Sequence, residues 1–160
     1  MRGLRIGVDA LVARCPHMAR AYAATGRPPS RKRQPGFATL IRIIIDQQVS
    51  VQSGAAIWRK LEGGLGVVTP ESVLAAGEAG LRQLGVSRPK ARYACCLATA
   101  VSSGDLELEA LGRRRNDASI HETLTAIKGI GDWTAEIYLM FALGRPDVFP
   151  AENAGAIIPH

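Results

Sequence analysis

Apolar residues recur along this chain at spacings of three and four, and strict alternation is scarce, so the pattern predicts helices and almost no strand. One helix is expected over about Asp9 to Ala24, kinked at Pro16 and ended by Gly26-Arg27-Pro28-Pro29-Ser30. Phe37 to Gln47 is apolar nearly all round, which places that helix at the centre of a core. A helix over Val51 to Leu61 follows, and Glu62-Gly63-Gly64-Leu65-Gly66 is expected to break the chain. Thr69-Pro70-Glu71 has the form of an N-cap with Pro at the first helical position, opening short helices over Glu71 to Ala76 and Glu78 to Leu84. Ser87-Arg88-Pro89 repeats that start for a helix reaching about Val101. Beyond it the pattern gives a weaker helix over Asp105 to Leu111, an exposed Arg113-Arg114-Arg115 turn, and a helix over Ala118 to Ile127.

Composition bounds this all-α reading without changing it. A chain of 160 residues, 47% of them hydrophobic, holds one buried core or two small helical lobes around a cleft. No apolar run reaches the ~20 residues of a membrane span, and Met1-Arg2-Gly3-Leu4-Arg5 is followed by no signal-peptide core; a cytoplasmic protein with no membrane partner is the expectation. Cys15, Cys95 and Cys96 form neither a paired disulfide framework nor a metal-ligand spacing, so reduced thiols and no metal site are expected. The histidines at 17, 121 and 160 are scattered and suggest no catalytic pair.

Net charge is +6, but it is unevenly placed. Residues 1–36 hold eight of the 20 basic side chains and one acid, about +7, while the remainder is about −1. Residues 1–36 therefore read as a basic N-terminal helix and linker. Arg31-Lys32-Arg33 within it is either a solvated loop or a phosphate clamp.

The segment that carries chemistry is Leu124-Thr125-Ala126-Ile127-Lys128-Gly129-Ile130-Gly131-Asp132-Trp133-Thr134-Ala135. Two glycines flanking one apolar residue permit a tight turn between helices and leave amide N–H groups unobstructed, and the next helix start adds its own free N–H groups. Such a turn suits a phosphate oxygen. The plain alternative is an ordinary helix-to-helix turn, since glycine commonly ends helices. Lys128 either adds a charge-assisted phosphate contact or stays solvated.

This segment resembles the hairpin of the helix-hairpin-helix (HhH-GPD) DNA glycosylases, and within them the 3-methyladenine DNA glycosylase II type. Phe37 through Ile45 running into Asp46-Gln47-Gln48-Val49-Ser50, Leu84-Gly85-Val86-Ser87-Arg88-Pro89-Lys90, and Asp147-Val148-Phe149-Pro150 resemble further family segments, in the family's order over roughly residues 9 to 153. The resemblance implies the family's fold, with residues 37–153 as the glycosylase core, and base excision repair of alkylated purines. It also implies a monomer acting on double-stranded DNA with a damaged base, nucleoid-associated if bacterial. Gly129, Gly131, Lys128 and Thr134 would belong to the DNA-binding set, docking on backbone phosphates without reading bases. Gln47 and Gln48 would enter the minor groove and brace the gap left by an extruded nucleotide; otherwise they are polar helix-end residues bonded to nearby backbone.

Trp133 stands where bifunctional relatives carry a Schiff-base lysine, which implies a monofunctional enzyme. It would form a wall of the base pocket, or else pack as core. No organic or redox cofactor is implied, only a monovalent cation on the hairpin carbonyls when DNA is bound; the four-cysteine iron–sulfur cluster of some relatives is missing. Three departures stand out. Asn153 falls at the family's catalytic aspartate, which removes a negative charge and implies reduced or absent activity, with a non-catalytic DNA-binding module as the alternative. The stretch 154–160 is an atypical tail where relatives continue with further helices. Asp46, finally, sits where the family has a small residue, and a carboxylate facing DNA would repel phosphate.

Overall fold

The structure, a computed structural model, describes residues 2–150. It is helical, with no strand among the described residues. The chain divides into two compact units, one ending at Lys32 and one beginning at Arg33.

The first unit is a pair of helices, α1 (Arg2–Arg14) and α2 (Pro16–Thr25). The single kinked helix expected over Asp9 to Ala24 is in fact a break. Proline disfavours helical geometry at the residue before it, and Cys15 accordingly turns extended at φ −129°, ψ 112°, leaving Pro16 to start α2. Gly26, in the left-handed region at φ 74°, ends α2.

The second unit is built on α3 (Phe37–Asp46), whose Phe37, Leu40, Ile41, Ile43, Ile44 and Ile45 are all buried. Only the stripe of Ala38, Thr39, Arg42 and Asp46 is left exposed or partly buried, so the wide apolar face of α3 is satisfied by packing at the centre of the core. Its start is fixed by Gly36, whose N–H donates to the buried Tyr138 hydroxyl at 3.0 Å; burial pushes that phenol above its ordinary pKa.

Helix α4 (Val51–Leu65) is capped by Ser50, which accepts from Ser53 N–H at 3.2 Å. It runs through Gly63 and Gly64, where the sequence predicts a break. A Cβ on Gly64 would strike the Leu84 side chain, so that glycine serves a close helix contact rather than a turn, and the helix ends only at Gly66.

Thr69 and Ser72 form a capping box at the start of α5 (Pro70–Gln83), and Gly77 at φ 60° divides it into the two short helices expected. Helix α6 (Arg88–Ser102) packs along α5. Helix α7 lies over Leu108–Arg113, three residues later than expected, because Leu106 is drawn into the core ahead of it. Helix α8 (Asp117–Thr125) is capped by Asn116; the hairpin follows, then α9 (Asp132–Ile137), which widens into a π-helical turn at Tyr138–Ala142. No helix among the described residues is long and apolar enough to cross a membrane.

Candidate nucleic-acid interface

Three segments distant in sequence meet beside the end of α3: the loop that follows it, the hairpin, and the start of α6, which contributes Lys90. The first is the loop from Gln47 to Ser50. Gln48 has φ +52°, a conformation that costs a non-glycine residue roughly 1–2 kcal/mol and persists only when neighbours hold it. The neighbours here are identifiable. Lys90 of α6 donates from Nζ to Ile45 O at 2.8 Å and to Gln47 O at 2.6 Å. The Gln47 side-chain amide donates to Thr134 Oγ1 at 2.7 Å and to Gly129 O at 3.3 Å. Ser50 anchors the far side as the cap of α4.

Gln47 and Gln48 therefore play different parts. Gln47 is turned inward, bonded to backbone and side chain more than 80 residues away rather than to its own helix end. Gln48, with Val49 beside it, is exposed at the tip.

Lys90 enters the sequence reading only as part of a family-like segment and with no role of its own, yet a signal for one existed. It lies in the first turn of α6, at the positive end of that helix dipole, where a cation is disfavoured. Its partners are the last carbonyls of α3, at that helix's negative end. Burial pulls the ammonium below its ordinary pKa, and Asp46 pulls it part of the way back. Lys90→Met keeps most of the stem but strands two carbonyls. It is expected to cost about 1–3 kcal/mol, read as a lower urea midpoint at unchanged m-value.

The second segment is the hairpin. Gly129 sits at φ +96°, and a Cβ there would overlap the Cβ and Cγ of Tyr93, so the turn closes only with glycine. Ile130 is buried between the two helices, held by its N–H to Ile127 O at 3.0 Å. Gly131 differs from Gly129. Its backbone is extended at φ −91°, ψ 179°, which any residue adopts, and a Cβ there would meet nothing within 4 Å. The N–H groups of Gly129, Gly131 and Asp132 donate to no backbone acceptor among the described residues. His121 and Asp132, at 3.3 Å, brace α8 against α9.

The structure separates the expected site residues by role. Gly129, Gly131, Gln47 and Thr134 come together, and Lys128 is exposed beside them. Thr134 is 1% exposed, so its side chain offers no surface to a strand; it holds Gln47 instead. Trp133 is half-buried on α9 against the core, its indole N–H buried and without an acceptor among the described residues. Asn153 lies outside the described residues, as does the tail 154–160.

Asp46 is matched rather than bare. Its Oδ2 takes Arg42 Nε at 3.0 Å and Arg33 Nη2 at 3.5 Å, which also gives Arg33 an internal partner. Arg42 in turn lies over the Trp58 ring. The larger side chain at 46 is accommodated by Gly54, where a Cβ would collide with Asp46 Oδ1. Among the described residues no cluster of His, Cys, Asp and Glu could hold a metal ion.

Comparison with known proteins places this geometry. The family described as HhH-GPD superfamily base excision DNA repair protein matches residues 41–156. DNA-3-methyladenine glycosylase 1 of Schizosaccharomyces pombe is 32% identical over 125 residues, 76% of this chain and 54% of that protein. The crystal structure of DNA-3-methyladenine glycosidase from Bacillus halodurans aligns at a TM-score of 0.75 and 33% identity, covering 92% of this chain and 69% of that one. The S. pombe 3-methyladenine DNA glycosylase in complex with abasic DNA aligns at 0.80 and 28% identity, covering 92% and 74%. The chain spans about half the length of the curated relatives it matches. With the match running from within α3 through the hairpin, this chain belongs to the HhH-GPD superfamily of base excision DNA repair proteins.

Proposed function

We propose that this protein acts in base excision repair, hydrolysing the N-glycosidic bond of alkylated purines in duplex DNA. The observation that carries the reading is the hairpin with its tethered loop. Gly131 has no role in the fold that demands glycine, so its bareness fits a strand passing close to the backbone, where amide N–H groups would meet phosphate. The Gln47 amide ties that seat to the loop bearing Gln48. An extruded base leaves a gap in the stack, and Gln48, exposed at a held tip, is placed to brace it. A cationic methylated base suits the Trp133 indole face. With tryptophan rather than lysine at 133 the reaction is monofunctional, releasing base without nicking the strand.

Asn153 favours a second feature: chemistry slower than in relatives that carry aspartate there. Its side chain has the shape of the carboxylate but not the charge that would stabilise a developing oxocarbenium ion. The test is single-turnover incubation of excess protein with methylated duplex DNA, scoring free methylpurine and alkali-dependent strand breaks. Slow release above a protein-free control, with breaks only after alkali, is expected. No release together with equal affinity for abasic and intact duplex would leave a non-catalytic DNA-binding module instead.

A further inference from the structure

Beside the hairpin lies a cavity of about 450 Å³ in which neither the Gln47–Gln48 loop nor Trp133 takes part. Its walls are Arg88, Pro89, Arg92 and Tyr93 from α6, Glu78 from α5, and Lys128 from the hairpin. Arg88 and Arg92 are one turn apart on one face of α6, so both guanidiniums serve the same space. Neither they nor Lys128 has a carboxylate within ion-pair distance among the described residues. Three cations and a single acid around one hollow leave it about +2, a mutual repulsion that a bound anion relieves.

Position identifies the anion. Lys128 directly precedes Gly129, and Tyr93 is the residue packed under Gly129, so the cavity adjoins the hairpin's exposed amides. Arg88 stands at the first position of α6, at the positive end of that helix, which is unfavourable for a cation unless negative charge lies opposite. Phosphates recur along one strand every ~3.4 Å of duplex axis, so a strand seated on the hairpin brings its next phosphates to neighbouring surface. We propose that this cavity is a second phosphate subsite, in which Arg88 and Arg92 hold the phosphodiester groups that follow those on the hairpin in the same strand. The inference rests on the DNA-binding reading above and extends its footprint onto α6.

The test is duplex binding as a function of salt between about 50 and 200 mM. Arg88→Gln with Arg92→Gln is expected to flatten the slope of log K against log salt by about 1.8, or about 0.9 for each phosphate that is no longer neutralised. Affinity should fall equally for intact and abasic duplex, because phosphate contacts carry no base information. Glu78→Gln removes the opposing charge and should tighten binding several-fold at low salt. All three side chains are exposed, and an unchanged melting temperature will show that the fold is intact. If Gly131→Val weakens salt-dependent binding while the double variant keeps the full slope, the subsite is wrong and the hairpin reading stands. If the unaltered protein shows no salt-dependent duplex binding, the hairpin reading itself falls.

Discussion

Asn153→Asp is expected to raise the rate of methylpurine release by about a thousandfold. Departure of an alkylated purine leaves positive charge on the sugar, so a fixed negative charge beside it lowers the transition state more than the ground state. At ~4 Å and an effective dielectric of about 20, one unit charge is worth about 4 kcal/mol, which is close to three powers of ten in rate. In the proposed reaction an amide at position 153 would supply a dipole but no charge. Cationic purines have labile bonds, so slow release by the asparagine form is compatible with this argument. The measurement is the single-turnover rate constant of the two forms on the same methylated duplex. It should be accompanied by their affinities for abasic DNA, which the substitution should leave within a few-fold. A change of less than tenfold at equal affinity removes the catalytic role assigned to position 153. Glu152→Gln provides the contrast: the role is assigned to position 153, so loss of the neighbouring carboxylate should leave the rate nearly unchanged.

Features written in adjacent residues are legible from the chain alone, and features written across it are not. Ser50, the Thr69–Ser72 pair and Pro70 set their helix starts through contacts within four residues, and Gly77 interrupts α5 by its own backbone freedom. The apolar run of α3 announces a central helix because such a surface has no alternative to burial. Gly64 misleads because a glycine that admits Leu84 looks the same in sequence as a glycine that turns the chain. Gln47 stands out in the sequence, but its partners lie 82 and 87 positions away, so its inward role emerges only with the fold. Thr134 falls among the DNA contacts by its position in the motif, yet spacing along a helix does not show which hydroxyl a distant amide will claim. Lys90 shows what a stricter reading of helix electrostatics recovers: a cation in a first turn needs an external reason. The compensation between Asp46 and Gly54 is likewise a three-dimensional fact, in which a bulkier residue on α3 is matched by the absence of one on α4.

The two hairpin glycines should separate when substituted, and that separation bears hardest on the proposed function. Gly129→Ala is expected to destabilise the protein by about 2–5 kcal/mol. Roughly 1–2 comes from forcing a Cβ into φ +96°, and 1–3 from displacing the Tyr93 stem it strikes. Against a usual total of about 5–15 kcal/mol, that threatens the folded state itself, and any loss of DNA binding in this variant reports on folding. Gly131→Val meets neither obstacle: its backbone is already extended and its side chain would enter open space. Stability should fall by no more than about 1 kcal/mol, the cost of an apolar residue at the N-cap of α9. Duplex affinity should nonetheless fall at least tenfold, about 1.4 kcal/mol or more, because an isopropyl group would stand between the amides and a phosphate. Thermal melts and duplex titrations of the two variants, run side by side, give the answer. If Gly131→Val folds normally and binds duplex as tightly as the unaltered chain, the bare backbone at the hairpin is not where the strand lies.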